Sequence, residues 1–145
     1  MLDTGLVHDG YFCDFDRNFA IMHAHSLVRD AHKRLIEATQ NAFAIARSGI
    51  CASDLFHAMD KVLTGGKAPK GAGRLGHGLG MELTEWPSLI STDRTVLQAG
   101  MVLTLEPSVA TRRGHFLTHE ENIVITDKGA RYLSSAWDSE LSVLS

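Results

Sequence analysis

Three acidic residues stand inside or beside apolar runs that would otherwise read as plain strands. Asp14 is embedded in YFCDFDRNF, Glu106 in MVLTLEP, and Glu120 just precedes NIVIT. A carboxylate turned into a core costs several kcal/mol unless it is paired, protonated or bound to a cation. Several such groups together repel one another, and a cation removes the conflict. The plainer alternative is that each acid sits singly on a solvated strand face. Hard oxygen donors joined by an imidazole suit divalent first-row ions such as Mn, Co, Fe or Zn.

Such residues need elements to position them. LDTGLV and YFCDFDRNFAI are strand-like runs around HDG, and Asp9-Gly10 is a strong hairpin signal. A two-residue Asp9-Gly10 turn places Asp3 opposite Asp16, whereas a four-residue loop from Val7 to Gly10 places Asp3 opposite Asp14. From about Ala24 to Arg47 apolar residues recur at helical spacing, and Ser48-Gly49 ends that helix. A shorter helix follows, with Ser53 as its N-cap and Leu55, Met59, Val62 and Leu63 inward, and stops at Gly65-Gly66. Three further strands are expected, in HGLGMEL, MVLTLEPSVA and HFLTHEENIVIT. The closing SSAWDSELSVLS reads as a trailing segment with one apolar anchor. This order predicts an α+β domain with helices on one face of a mainly antiparallel sheet.

Composition narrows the partners. The chain has 145 residues, 44% of them hydrophobic and 21% charged, which fits one domain with a single core. A net charge of −3 gives no basic footprint for nucleic acid and no polybasic segment for anionic lipid. No apolar run approaches the roughly 20 residues of a membrane span, and MLDTGLVHDG shows no signal-peptide pattern. Cys13 and Cys51 make no disulfide framework and read as small core residues, so a reduced, cytoplasmic location is expected. The glycine-rich KAPKGAGRLGHGLG lacks the strand-then-helix context of a phosphate-binding loop.

Four segments, taken in order, carry a family likeness. DTGLVHDGYFCDFDR, GHGLGMELTEWP, GMVLTLEP and HEENIVITDKG resemble the successive signatures of the pita-bread metallopeptidase superfamily. Its members include methionine aminopeptidase, Xaa-Pro aminopeptidase, prolidase and creatinase, and the resemblance runs from residue 1 to about Ser134. It implies a pita-bread fold, with a curved antiparallel sheet and helices on one face. Residues 1–145 would then be the C-terminal part of the catalytic domain, the N-terminal part of the fold being absent. Without that part, some of the sheet would turn an apolar face to water. The implied metal ligands are Asp3, Asp14, His77, Glu106 and Glu120, with Asp16 the alternative to Asp14. Glu120 is preferred to its neighbour Glu121 by its six-residue distance to Thr126. Two Asp, two Glu and one imidazole match two divalent ions (Mn, Co, Zn or Fe), and the four carboxylate charges balance them.

The same resemblance implies a mechanism. Two ions share a bridging water or hydroxide and lower its pKa. Glu106 is the general base and later the acid toward the leaving amine. HGLGMELTEWP with HEENIVI looks more like the Xaa-Pro peptidase and creatinase branches than methionine aminopeptidase. The implied activity is hydrolysis of an amide bond in a peptide, of Xaa-Pro aminopeptidase or dipeptidase type, by an enzyme that is a homodimer at full length. The alternatives are a creatinase-like hydrolase of a small C–N substrate and a non-catalytic binding domain. One departure matters. Peptidases of the superfamily carry a second histidine seven residues after the ligand histidine, and here that position is Thr84, which cannot become cationic. His115 or His119 are candidate substitutes, although a strand-face histidine is the plainer reading. Arg17 is expected to pair with a nearby acid, Arg112 and Arg113 to form a solvated turn or meet a substrate carboxylate, and Trp86-Pro87 to shape the loop after the HG strand.

Overall fold

The computed structural model describes residues 1–112, 114–135 and 137–145, so the expectation for Arg113 lies outside the described residues. At the start, β1 (Leu2–His8) and β2 (Tyr11–Arg17) pair antiparallel. Asp9 and Gly10 take φ of 51° and 84°, the left-handed pair that a tight hairpin turn requires. Asp3 therefore faces Asp16 across the ladder, and Gly5 faces Asp14. Because side chains alternate, Asp3, Asp14 and Asp16 share one face of the hairpin.

After β3 (Phe19–Ile21) come α1 (Ser26–Ile45) and α2 (Ala52–Thr64). The first helix buries Ala31, Leu35, Ala38 and Ala42 at helical spacing. It is shorter than Ala24 to Arg47 because the His25 ring caps the Leu27 amide and Ala46 is already extended. The second helix is capped at Cys51, not Ser53. The Asp54 carboxylate accepts the Cys51 N–H at 2.8 Å, which closes a capping box, while Ser53 is fully buried. Gly65, at φ 72°, ends it.

The remaining strands are β4 (His77–Gly78), β5 (Glu85–Ser88), β6 (Val102–Leu105), β7 (Ser108–Arg112), β8 (His115–Thr118), β9 (Glu121–Ile125), β10 (Ala130–Tyr132) and β11 (Ser142–Leu144). A five-stranded antiparallel sheet runs in the order β10-β9-β6-β4-β5. Its inner face packs on both helices. Ala38 and Ala42, Leu55 and Met59, Leu103 and Leu105, and Ile123 and Ile125 form one core cluster. Burying each of the larger side chains contributes roughly 1.5–3 kcal/mol.

The single curved antiparallel sheet expected of a pita-bread fold does not form. The described strands fall into four separate sheets, neither curved into one another nor closed: the five-stranded sheet, the β1–β2 and β7–β8 ribbons, and a parallel β3–β11 pair. Two breaks explain most of the difference. MVLTLEPSVA splits at Glu106-Pro107 into β6 and β7, and HFLTHEENIVIT splits at His119-Glu120 into β8 and β9. Proline has no N–H for a central ladder and so marks the first break. The C-terminal run is not a trailing segment: β11 pairs with β3, and Leu141 beside it is buried.

Strand β4 passes between β5 and β6 with a glycine on each side of His77. A Cβ on Gly76, whose φ is +141°, would strike the Thr104 carbonyl, and one on Gly78 would strike the Trp86 carbonyl. Gly76→Ala is therefore expected to lower stability by about 1–3 kcal/mol, read as a shifted urea midpoint. An unchanged midpoint would mean that β4 is not confined as described.

Strand β1 is exposed throughout. Leu2, Leu6, Val7, Tyr11, Met81 and Trp86 turn large apolar groups to solvent. No helix among the described residues is long and apolar enough to cross a membrane.

Candidate metal centre

His77 supplies the imidazole of the site. Its ring is buried, and Nδ1 lies 2.8 Å from the Gly78 carbonyl. A carbonyl can only accept, so Nδ1 carries the proton and Nε2 offers its lone pair toward the acids, 3.8 Å from Glu106 Oε2. Its backbone N–H donates to Thr104 Oγ1 at 3.3 Å. Burial holds the imidazole below its ordinary pKa, and the Arg74 charge adds to this against the Gly78 bond and Asp14. Burial thus favours the neutral ring, the form in which an imidazole binds a metal.

The acids arrive from two sheets. Glu106 follows β6, where its N–H donates to the Leu75 carbonyl at 2.9 Å. Glu120 stands just before β9 and is 2% exposed. Asp14 comes from the hairpin and is fixed to the main sheet by Asn122. The Asp14 N–H donates to Asn122 Oδ1 at 3.2 Å, and Asn122 Nδ2 donates back to the Asp14 carbonyl. Two groups of three donors result. Asp14, His77 and Glu120 form one, and Asp16, Glu106 and Glu120 the other, with the donor atoms of each group within 4.8 Å of one another. Glu120 belongs to both.

These acids oppose one another when no cation is present. Burial pushes Glu120 up to about 9, reinforced by Glu106, Asp14 and Asp16. Burial likewise pushes Asp16 up to about 6, with Asp3, Glu106 and Asp14 adding to it. Asp14 and Glu106 are also raised by burial, moderated by His77 at Asp14 and by Arg74 at Glu106. Asp16 Oδ1 and Glu120 Oε1 are buried without a hydrogen-bond partner among the described residues. Leaving a buried acceptor unsatisfied costs about 1–3 kcal/mol. Oxygen donors with unused lone pairs, one neutral imidazole and excess negative charge fit a pair of divalent first-row ions.

Of the five expected ligands, Asp14, His77, Glu106 and Glu120 converge. Asp3 sits on the same hairpin face, directly across from Asp16, but is in neither three-donor group. Asp16, the alternative to Asp14, lies in the second donor group, while Asp14 lies in the first. Glu121 is engaged elsewhere, with Arg17 and His119, which bears out the pairing expected for Arg17. His119 does not turn to the acids: its Nε2 is 3.5 Å from Glu121 Oε1 and its ring packs against His32. His115 and Arg112 are exposed on the β7–β8 ribbon. Trp86-Pro87 lies within β5 rather than in a loop. Both cysteines are free and half-buried. Thr84 is exposed and accepts from Arg74 Nη2 at 3.4 Å. Sequence reasoning passed over Arg74, whose charge acts on Asp14, His77 and Glu106; its place three residues before His77 was the only cue.

Known proteins share this arrangement of sequence and fold. Residues 1–127 match metallopeptidase family M24. An Xaa-Pro dipeptidase of Pyrococcus furiosus is 29% identical over 135 residues, which cover 92% of this chain and 39% of that protein. One from Pyrococcus horikoshii is 30% identical over 139 residues, covering 92% and 38%. The solved X-Pro aminopeptidase of Thermotoga maritima superposes with a TM-score of 0.86 at 25% identity, over 98% of this chain and 40% of that one. This chain thus spans less than two-fifths of the length of the curated relatives it matches, at 39% and 38%. The matched span contains every residue of both donor groups, and the chain belongs to metallopeptidase family M24.

Proposed function

We propose that this chain is the metal-binding part of the catalytic domain of a two-metal amide hydrolase, of Xaa-Pro aminopeptidase or dipeptidase type. Asp3, Asp14, His77, Glu106 and Glu120 hold two divalent ions (Mn, Co, Zn or Fe), with Asp16 at the edge of the set. The observation that carries the reading is the pair of three-donor groups sharing Glu120. A pair of divalent cations held there supplies a water of lowered pKa and an electrophilic clamp for a carbonyl oxygen.

The chain's own residues supply the rest. Glu106, with 31% of its side chain exposed, is the most open acid of its donor group. It takes the proton from the attacking water and returns it to the leaving nitrogen. Arg74, steadied by Thr84, holds a permanent positive charge beside the acids. A cavity of about 270 Å³, lined by Phe56, Leu63, Leu75 and Val109, lies against the segments that carry His77 and Glu106 and suits a small apolar residue of a peptide. The longer enzyme works as a homodimer on peptide substrates in the cytoplasm.

Incubation with Mn(II) or Co(II), gel filtration and elemental analysis test the reading. About two equivalents should be retained; retention of none would refute it and favour a non-catalytic domain. A release assay on Xaa-Pro peptides, with a protein of the relatives' length containing this segment, then separates a peptidase from a hydrolase of a small C–N substrate. Thr84 in place of an imidazole is the observation that keeps the second reading alive.

A further inference from the structure

Arg17 stands where three distant parts of the chain meet. Its Nη1 donates to the main-chain carbonyls of Asp16, at 3.0 Å, and Glu120, at 2.7 Å, while Nη2 donates to Glu121 Oε2 at 3.1 Å. The first carbonyl belongs to β2 in the hairpin, and the second immediately precedes β9 in the main sheet. No backbone ladder joins these two strands. One guanidinium thus clips together the main chains of Asp16 and Glu120, two members of the same donor group.

The clip is itself held firmly. The Arg17 side chain is 12% exposed, and the rings of Phe15 and Trp137 lie 5.0 and 5.1 Å from the guanidinium carbon. Glu121 is fixed from its other oxygen by the main-chain N–H of Trp137 at 3.1 Å and by His119 at 3.5 Å. Three acceptors are met by two nitrogens of one planar fork. A lysine ammonium keeps the charge but not that geometry.

We propose that Arg17 is a positioning residue of the metal centre: it fixes the separation of Asp16 and Glu120 by tying the hairpin to the main sheet. The proposal rests on the two-metal reading above. A merely stabilising arginine would change the melting temperature and leave the ion's surroundings alone. A positioning arginine sets the donor geometry before an ion arrives, so its loss weakens ion binding even in a folded chain. Removal of outer supports of this kind typically weakens metal affinity about 10–100-fold.

The test compares wild type with Arg17→Lys and Glu121→Gln, the latter keeping the arginine but removing its anionic anchor. Each is titrated with Co(II), following visible absorption and calorimetric heat, and the metal-free proteins are examined by amide hydrogen exchange. Arg17→Lys should keep the protection of α1, α2 and β6, exchange faster across β1–β2, bind Co(II) roughly 10–100-fold more weakly and show shifted absorption bands. Glu121→Gln should move the same way by less. Wild-type Co(II) affinity and spectrum in both variants would overturn the positioning role and leave the two-metal reading intact. Failure of the wild type itself to take up Co(II) would overturn both.

Discussion

Glu106→Gln, made in a protein of the relatives' length, is expected to lower kcat about 10²–10⁴-fold, the range general-base removal usually gives. Glutamine keeps the shape and one oxygen donor but cannot accept a proton. The other acids of the Glu106 group cannot take over, because Asp16 and Glu120 are only 3% and 2% exposed and an attacking water reaches neither easily. Glu106 is also the acid nearest the lone pair of His77, at 3.8 Å, so it stands where the two donor groups adjoin. Since an oxygen donor remains, ion content should fall less than turnover, and KM should change little while kcat collapses. Steady-state kinetics with metal content measured on the same samples would check this. Near-normal kcat at full metal content would exclude Glu106 as the base.

The acids were legible because each breaks an apolar run. Asp14 and Glu106 could be singled out from local sequence alone, whereas His77, Asp3 and the choice of Glu120 over Glu121 needed the motifs around them. The joint presence of Asp14 and Asp16 was not legible, and the reason is geometric. Side chains two apart on a strand share a face, so Asp14 and Asp16 point the same way and a motif alone does not separate them. Arg17 could be expected to find an acid but not which one, because Glu121 is 104 residues away in sequence. The helices were readable to within two residues at each end of α1, since periodicity is local. The sheet was not. Apolar runs that look like single strands change sheets at Glu106-Pro107 and at His119-Glu120. Those corners carry two of the site's acids, and a residue leaving one sheet for another is free to turn its side chain toward the hairpin. The feature that misled the reading of the fold is therefore the one that builds the site.

Glu120→Gln should have opposite effects on stability and on metal uptake, because Glu120 is the one acid common to both donor groups. In the metal-free wild type its folded pKa is pushed up to about 9 from an ordinary 4.5 by burial and three neighbouring acids. A carboxyl raised in this way contributes stability that is fully present below its ordinary value and lost as pH rises toward the raised one. Asp16, raised from 3.8 to about 6, adds an earlier loss of the same sign. His77 and His32 are lowered by burial and act oppositely, costing stability as pH falls below their ordinary 6.5. Above about pH 6.5 Glu120 carries the decline, each pH unit removing at most about 1.4 kcal/mol. Metal-free wild type should thus melt progressively lower from pH 6.5 to 9, and Glu120→Gln should flatten that decline and melt higher at pH 8. Saturating Mn(II) or Co(II) reverses the order. An ion at a thousand times its Kd adds about 4 kcal/mol to the wild type, roughly 10 °C for a domain of this size, and should add much less to the variant, whose amide offers one neutral oxygen where the wild type shares a carboxylate between both groups. His77→Ala, which touches one group only, should keep part of the gain. Parallel pH profiles for wild type and Glu120→Gln without metal would show that Glu120 is not a strained buried acid. An ion-induced rise in the variant equal to the wild type's would show that the two donor groups do not depend on it.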